Sequence, residues 1–199
     1  MIASYISSTL SYAVVFSCIY IIAKIIYLKC NNKRFVIKSE LPYIIFGAYI
    51  VALLSQTIIH IWNVFFINGK LSIEISTYNS RSLNLIPFKT ILDYLNGSND
   101  FYGNANIVVR IVNLAGNICL FIPFGILFPI VFKKFSKFCH IMLFGLALSV
   151  FIECMQFFVE RSTDIDDVIL NCIGVFCGYI CYKYLNKLHC LTSYTDNIL

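Results

Sequence analysis

Charged side chains are scarce in this sequence, and their scarcity limits the kind of protein it can encode. Asp, Glu, Lys and Arg make up 13% of the 199 residues, whereas 59% are hydrophobic and the mean hydropathy is +0.81. Water-soluble domains average about 25% charged and about 45–50% apolar residues. Disordered chains are polar and poor in aromatic residues, whereas 16% of this chain is aromatic. The composition excludes both classes and indicates an integral membrane protein.

Sequence motifs of redox, zinc and nucleotide sites are also missing. The nine cysteines include no CxxC pair, and the three histidines form neither an HxxxH nor an HExxH pair. Disulfide frameworks belong to small secreted domains, so these cysteines are interpreted as small hydrophobic residues. No P-loop, Rossmann fingerprint or nucleophile elbow is present. The basic residues flank hydrophobic segments and form no patch, so nucleic acid is not an expected partner.

Five hydrophobic segments are long enough to cross a membrane, since a spanning helix needs about 20 mostly apolar residues. They are predicted at residues 2–28, 41–67, 107–132, 138–159 and 165–185. The first is predicted to be a retained anchor, because it exceeds the core of a signal peptide and has no Lys or Arg before Lys24. The predicted fold is an all-α, polytopic membrane helical bundle.

The stretch between the second and third spans contains a further apolar segment at residues 83–95. It is too short to span, and Pro87 interrupts regular backbone pairing, so it is predicted to be re-entrant or interfacial. The chain is therefore divided into two N-terminal spans (1–67), a domain with this segment and three spans (68–185), and a cytoplasmic tail (186–199).

The distribution of Lys and Arg predicts the orientation. Alternate loops and the C-terminal tail carry nine basic residues, and the opposite loops carry four. Cytoplasmic loops are enriched in Lys and Arg. The N-terminus is therefore predicted outside and the C-terminus in the cytoplasm.

In this orientation, polar residues of the last three spans lie in the same outer layer of the membrane. A charged residue inside a span costs about 2.5–3.5 kcal/mol on insertion scales, so it usually has a function. Helical spacing places the polar residues of each span on one face. The three stripes are Arg110, Asn113, Asn117, Phe121 and Phe124; Gly145, Ser149, Glu153 and Gln156; and Asp164, Asp167, Asn171, Gly174 and Gly178. Asp166 points away from its stripe, towards loops or headgroups. The pattern predicts one polar site.

The amides of this site also have a purely structural interpretation. Buried amides can simply hold helices together, at about 0.6 kcal/mol per hydrogen bond on average, and this interpretation applies to Asn113, Asn117, Gln156 and Asn171. Arg110 is expected to pair with Glu153 or an aspartate, because an unpaired charge at that depth is costly. The GxxxG motif on the last span allows close approach of a neighbouring helix.

The chemistry of the site stays open at this point. Several carboxylates with amide oxygens suit a divalent cation such as Mg2+ or Ca2+. A carboxylate in an apolar setting also suits general acid or base catalysis. The same groups suit hydrogen bonds to the headgroup or sugar of a lipid-linked molecule.

Three sequence blocks resemble the VanZ-like family. They are NLIPFKTI (84–91), NLAGNICLFIPFG (113–125) and E..Q....R..D.DD...N..G...GY (153–179), and together they cover about half of the chain. The resemblance implies an integral membrane protein of Gram-positive-type bacteria, related to resistance to teicoplanin, a lipidated glycopeptide. It implies functional polar positions at Asn84, Asn113, Asn117, Glu153, Gln156, Arg161, Asp164, Asp166, Asp167 and Asn171.

Three hypotheses follow. In the first, a non-enzymatic envelope protein binds a lipid-linked cell-wall precursor or a lipoglycopeptide in an outer-leaflet pocket formed by these residues and Arg110. In the second, a membrane enzyme acts on a lipid-linked substrate, with Glu153 or Asp167 as acid, base or metal ligand. The third, a small transporter, ranks last because no inverted repeat is visible.

Overall fold

The fold is that of a multi-pass helical membrane protein. The computed structural model describes residues 2–32, 36–58, 62–67, 70–75, 83–96, 107–159 and 161–195. Its elements are α1 (Ile2–Cys30), α2 (Ile37–Thr57), β1 (Trp62–Ile67), β2 (Lys70–Ile75), β3 (Leu83–Asn84), α3 (Lys89–Asn96), α4 (Ile107–Val131), a short 3-10 helix (Lys133–Phe135), α5 (Phe138–Phe158), β4 (Thr163–Asp164) and α6 (Ile165–Thr195). Five described helices, α1, α2, α4, α5 and α6, are long and apolar enough to cross a membrane. The predicted helical bundle with five spans is confirmed.

The predicted end of the second span is wrong. The span was expected to reach residue 67, but α2 ends at Thr57 and Trp62–Ile67 forms a strand. This strand pairs antiparallel with Lys70–Ile75 in a hairpin. Aromatic and β-branched residues favour strands, and a short apolar run does not distinguish a strand from a helix by periodicity. At 21 residues, α2 is still long enough to span.

The helical part of the last span is longer than predicted. Its apolar portion, Ile165–Lys187, agrees with the predicted span. The helix α6 itself continues to Thr195 and therefore includes part of the predicted tail. The division of the chain into domains at residues 67 and 185 stays a prediction.

The chain forms two compact units, and the first comprises Met1–Arg81 together with Cys154–Ser162. Within it, α1 packs on α2 around a buried carboxylate, that of Glu40. The Nζ atom of Lys24 lies 3.2 Å from Glu40 Oε2, and the hydroxyl of Tyr20 donates a hydrogen bond of 2.8 Å to the same oxygen. The buried charge thus has both an opposite charge and a donor, which a carboxylate removed from water requires.

The second unit comprises Ser82–Glu153 and Thr163–Leu199, and its centre is the contact between α4 and α6. Three glycines, Gly125, Gly174 and Gly178, bring the two backbones together. A Cβ atom at these positions would lie 2.2, 2.2 and 2.1 Å from the carbonyl oxygens of Val175, Ile118 and Ile122, respectively. The close approach predicted from the GxxxG motif is confirmed, and its partner is α4.

The α5 helix contributes the buried face that the sequence pattern predicted. Gly145, Ser149 and Glu153 are buried within the second unit. A Cβ atom at Gly145 would lie 2.7 Å from Val175 Cγ2, so α5 also approaches α6 closely. On α4, Phe121 and Phe124 of the predicted stripe are buried, whereas Asn113 is exposed.

The glycine contact generates a stability prediction. We expect Gly178→Ala to lower the unfolding free energy of the purified protein by about 1–3 kcal/mol, because the added methyl group would overlap a backbone oxygen. Gly116→Ala is the matched control, since a Cβ atom there has no neighbour within 4 Å. Thermal unfolding in detergent measures both. Equal unfolding temperatures for the two variants would contradict the proposed packing constraint.

Candidate functional site

The candidate site is built around a two-residue parallel strand pair. Leu83 pairs with Thr163 and Asn84 pairs with Asp164, so the segment before α3 is joined to the start of α6. The span of α6 begins at Ile165, immediately after β4. The strand pair therefore lies where a spanning helix begins.

Asp164 is the centre of the hydrogen bonds at this pair. It is buried, and its Oδ1 atom accepts from Asn84 Nδ2 at 3.0 Å and from the backbone N–H of Asp166 at 2.9 Å. Its Oδ2 atom accepts from the hydroxyl of Thr90. Asn84 Nδ2 also lies 3.0 Å from Thr90 Oγ1. Both carboxylate oxygens of Asp164 thus hold neighbouring groups in place.

Asp166 holds the start of α3. Its side chain is 0% exposed, and its two oxygens accept hydrogen bonds from the backbone N–H groups of Phe88 and Ile91. The first N–H groups of a helix have no partner within the helix, and a negative charge there is favourable. Of the two environments predicted for Asp166, loops or headgroups, the structure shows the loop.

Glu153 connects α5 to the same strand pair. It is 5% exposed, and its Oε2 atom accepts a 3.0 Å hydrogen bond from the backbone N–H of Asp164. The hydroxyl of Thr163 lies 3.4 Å from the backbone oxygen of Glu153. Glu153, one of the two candidates for a catalytic acid or base, thus lies next to Asp164.

Two further amides of the second unit, those of Asn117 and Asn171, join pairs of helices. Asn117 Nδ2 donates to Asp167 Oδ1 between α4 and α6, and Asn171 Nδ2 donates to Ser149 Oγ at 2.9 Å between α6 and α5. These bonds match the helix-holding alternative for Asn117. Arg110 lies in α4, but its side chain is outside the described residues, so its pairing stays a prediction.

Gln156 and Arg161 belong to the first unit and share one acceptor. The backbone oxygen of Thr57, the last residue of α2, accepts from Gln156 Nε2 at 3.1 Å and from the Arg161 guanidinium at 2.7 Å. A cation at a helix C-terminus is favourable, since the last carbonyl groups lack partners there. The Oε1 atom of Gln156 is buried and has no hydrogen-bond partner among the described residues.

The structure thus places nine predicted site residues in the second unit, namely Asn84, Arg110, Asn113, Asn117, Glu153, Asp164, Asp166, Asp167 and Asn171, and two, Gln156 and Arg161, in the first. Sequence reasoning missed Thr90 and Thr163. The only available signal for Thr90 was its position in the NLIPFKTI block. Among the described residues, no three His, Cys, Asp or Glu side chains form a group that could hold a metal ion.

Comparison with known proteins identifies the family. Residues 43–186, more than half of the chain, match the VanZ/LLP1 family. The chain is also 35% identical to protein VanZ of Enterococcus faecium over 128 residues, which cover 64% of this chain and 68% of that protein. The chain belongs to the VanZ/LLP1 family. All ten polar positions implied by the resemblance lie within the VanZ/LLP1 match, whereas α1 precedes it. No solved structure matches this VanZ/LLP1 chain.

The role of Asp166 in this VanZ/LLP1 protein generates a second prediction. Asp166→Asn replaces one acceptor oxygen by an NH2 group that faces a backbone N–H. We expect the unfolding free energy to fall by about 1–3 kcal/mol, the usual cost of an unsatisfied buried polar group. The matched control is Asp93→Asn, a partly exposed position on α3. Thermal unfolding in detergent measures the difference, and equal unfolding temperatures would show that Asp166 does not stabilise the start of α3.

Proposed function

We propose that this VanZ/LLP1 protein is a non-enzymatic protein of the bacterial cell envelope that binds a lipid-linked cell-wall precursor or a lipoglycopeptide. Binding would change the access of teicoplanin-type drugs to their target. The observation that carries the proposal concerns Arg161, a half-buried cation beyond the end of α5. Only one nitrogen of its guanidinium donates a hydrogen bond to a described residue.

The guanidinium of Arg161 has donors available for a ligand. One of its nitrogens is bound to Thr57 O, and it forms no ion pair with a described residue. An arginine side chain carries five N–H donors in a planar arrangement that matches a phosphate or a carboxylate. Lipid-linked precursors carry phosphate groups, so the headgroup of such a molecule fits the chemistry of this side chain.

Two of the predicted ligand-binding residues, Asp164 and Asp166, are engaged in hydrogen bonds within the protein. The oxygens of Asp164 and Asp166 already accept hydrogen bonds from backbone and side-chain donors. A general base needs a lone pair directed at the proton that it removes. The described contacts of these two carboxylates favour a structural role within the second unit.

The proposed orientation has the N-terminus outside and the C-terminus in the cytoplasm, on the basis of the Lys and Arg distribution. In this orientation the connection between α5 and α6, which contains Arg161, is external. Lipoglycopeptides act at the external face of the membrane, so the orientation agrees with the proposed ligand class.

Drug susceptibility tests the role of Arg161. We expect expression of the protein to reduce susceptibility to teicoplanin more than to vancomycin, and Arg161→Gln to remove most of that effect. Loss of a charged hydrogen bond costs about 1.5–3 kcal/mol, which is roughly a tenfold or larger loss of affinity. Arg161→Lys should keep part of the effect, since it retains the charge without the planar donor arrangement. Lys187→Gln, near the other end of the α6 span, is the control.

Different outcomes would contradict the resistance function and the role of Arg161. Unchanged susceptibility to both drugs on expression would exclude the resistance function, and full activity of Arg161→Gln would exclude this residue from the site. Immunoblots of the membrane fraction must show equal amounts of each variant. Turnover of an envelope lipid by the purified protein, abolished by Glu153→Gln, would instead support the enzyme with Glu153 or Asp167 as its base.

Reporter fusions test the orientation. We expect green fluorescent protein fused to the C-terminus to fluoresce and alkaline phosphatase at the same position to be inactive, because the phosphatase needs disulfides that form only outside the cytoplasm. Phosphatase inserted after residue 106 should be active, since that loop is expected outside. The reverse pattern of activities would invert the proposed topology and place Arg161 inside.

A further inference from the structure

An apolar surface in the second unit has no described protein neighbour that covers it. It belongs to residues 83–92, which include β3 and the first turn of α3. Five of its apolar side chains are more than half exposed: Leu83 56%, Leu85 65%, Ile86 61%, Phe88 54% and Leu92 53%. Single exposed apolar residues are ordinary, but a continuous apolar patch marks an interaction surface.

We propose that the 83–92 segment is a membrane-interface anchor whose apolar side chains lie among the acyl chains of one leaflet, just below the headgroups. The proposal concerns lipid contact alone and does not depend on the proposed drug-related function.

The depth of the segment follows from the strand pair. Asn84 pairs with Asp164, and the α6 span starts at the next residue, Ile165. Residues 83–92 are therefore fixed at the level where α6 enters the membrane. That level is the interfacial region, in which amphipathic segments lie with their apolar face towards the acyl chains.

Lipid is the expected occupant because the segment is attached to the end of a spanning helix that exposes apolar side chains of its own. On the same unit, α6 exposes Ile173, Phe176 and Ile180 along its spanning part, as expected for a helix in contact with acyl chains. The segment is attached to the end of this helix by the hydrogen bonds of Asp164 and Asp166. The same leaflet therefore meets both surfaces.

The segment is interfacial and not re-entrant. Irregular backbone is tolerated in the centre of a bilayer only where protein or a water-filled cavity surrounds it, whereas residues 85–88 are exposed and non-helical. The helix α3 has eight residues, about 12 Å at 1.5 Å per residue, and the hydrocarbon core is about 30 Å thick. The exposed side chain of Lys89 has the length to reach lipid phosphates from this position.

The anchor has a fixed conformation. Phe88 has a φ of 65°, a left-handed conformation that is rare for a bulky residue. Its N–H is held by the fully buried carboxylate of Asp166, which also binds the N–H of Ile91. The apolar side chains are thus presented at a defined height and are not free to withdraw into the protein.

Depth-dependent fluorescence quenching tests the anchor in the full chain. Trp62 is the only tryptophan of the sequence. In a Trp62→Phe background, a tryptophan introduced elsewhere is therefore the only one that fluoresces. Leu92→Trp is the main variant, and Leu85→Trp is a second reporter should the first fail to fold. Each is reconstituted in phosphatidylcholine–phosphatidylglycerol vesicles that contain phosphatidylcholine brominated either near the glycerol or near the chain end. Phe176→Trp, an exposed position inside the α6 span, is the depth control.

We expect blue-shifted emission from Leu92→Trp, with stronger quenching by the bromine near the glycerol than by the bromine near the chain end. Phe176→Trp should show weaker preference for the shallow bromine. Stronger quenching of Leu92→Trp by the deep bromine would overturn the interfacial assignment in favour of a re-entrant one. Quenching by aqueous iodide without quenching by lipid would show a water-exposed surface, and quenching by neither would show a surface covered by protein. Both would overturn the proposal.

Discussion

The second unit depends on one constraint, which is that carboxylates taken out of water at the end of a spanning helix must find hydrogen-bond donors. Asp164 and Asp166 are both buried beside the start of α6. An ionised carboxylate in such a place is tolerated only when it is paired or fully hydrogen-bonded. Apart from the backbone N–H of Asp166, their donors come from residues 74–80 positions earlier in the chain. The need for donors therefore explains why β3 and the start of α3 are held against the start of α6.

The helix contacts obey a related constraint. Lipid is as apolar as the helix surfaces, so hydrophobic burial does not drive spanning helices together, and close packing with hydrogen bonds must do so. Glycines on α4 and α6 bring the two backbones into contact, and Asn117 on α4 then reaches Asp167 on α6. Gly145 does the same for α5, where Ser149 accepts from Asn171. Both the small residues and the short polar side chains are needed, because the hydrogen bonds form only where the backbones approach closely.

Sequence alone predicts those parts of the fold that depend on length and period. The five spans and the approach at Gly174 and Gly178 are visible in the sequence and confirmed in the structure. The end of α2 was missed because the apolar run after it pairs as a hairpin, a choice that short apolar runs do not encode by periodicity. The role of Asp166 was missed for another reason. Its partners are backbone N–H groups, which every residue except proline possesses, so no sequence signal marks them.

This arrangement changes how a loss of function in the acidic residues should be interpreted. Asp164 joins Asn84, Thr90 and its own backbone neighbour, so removal of its charge disturbs both β3 and the start of α6. An inactive Asp164 variant is therefore no evidence of catalysis unless the fold is shown to be intact. Arg161 has one described side-chain bond, to a backbone oxygen, and is partly exposed. Loss of activity without a large loss of stability is expected at a residue like Arg161, because only one of its nitrogens donates to a described residue.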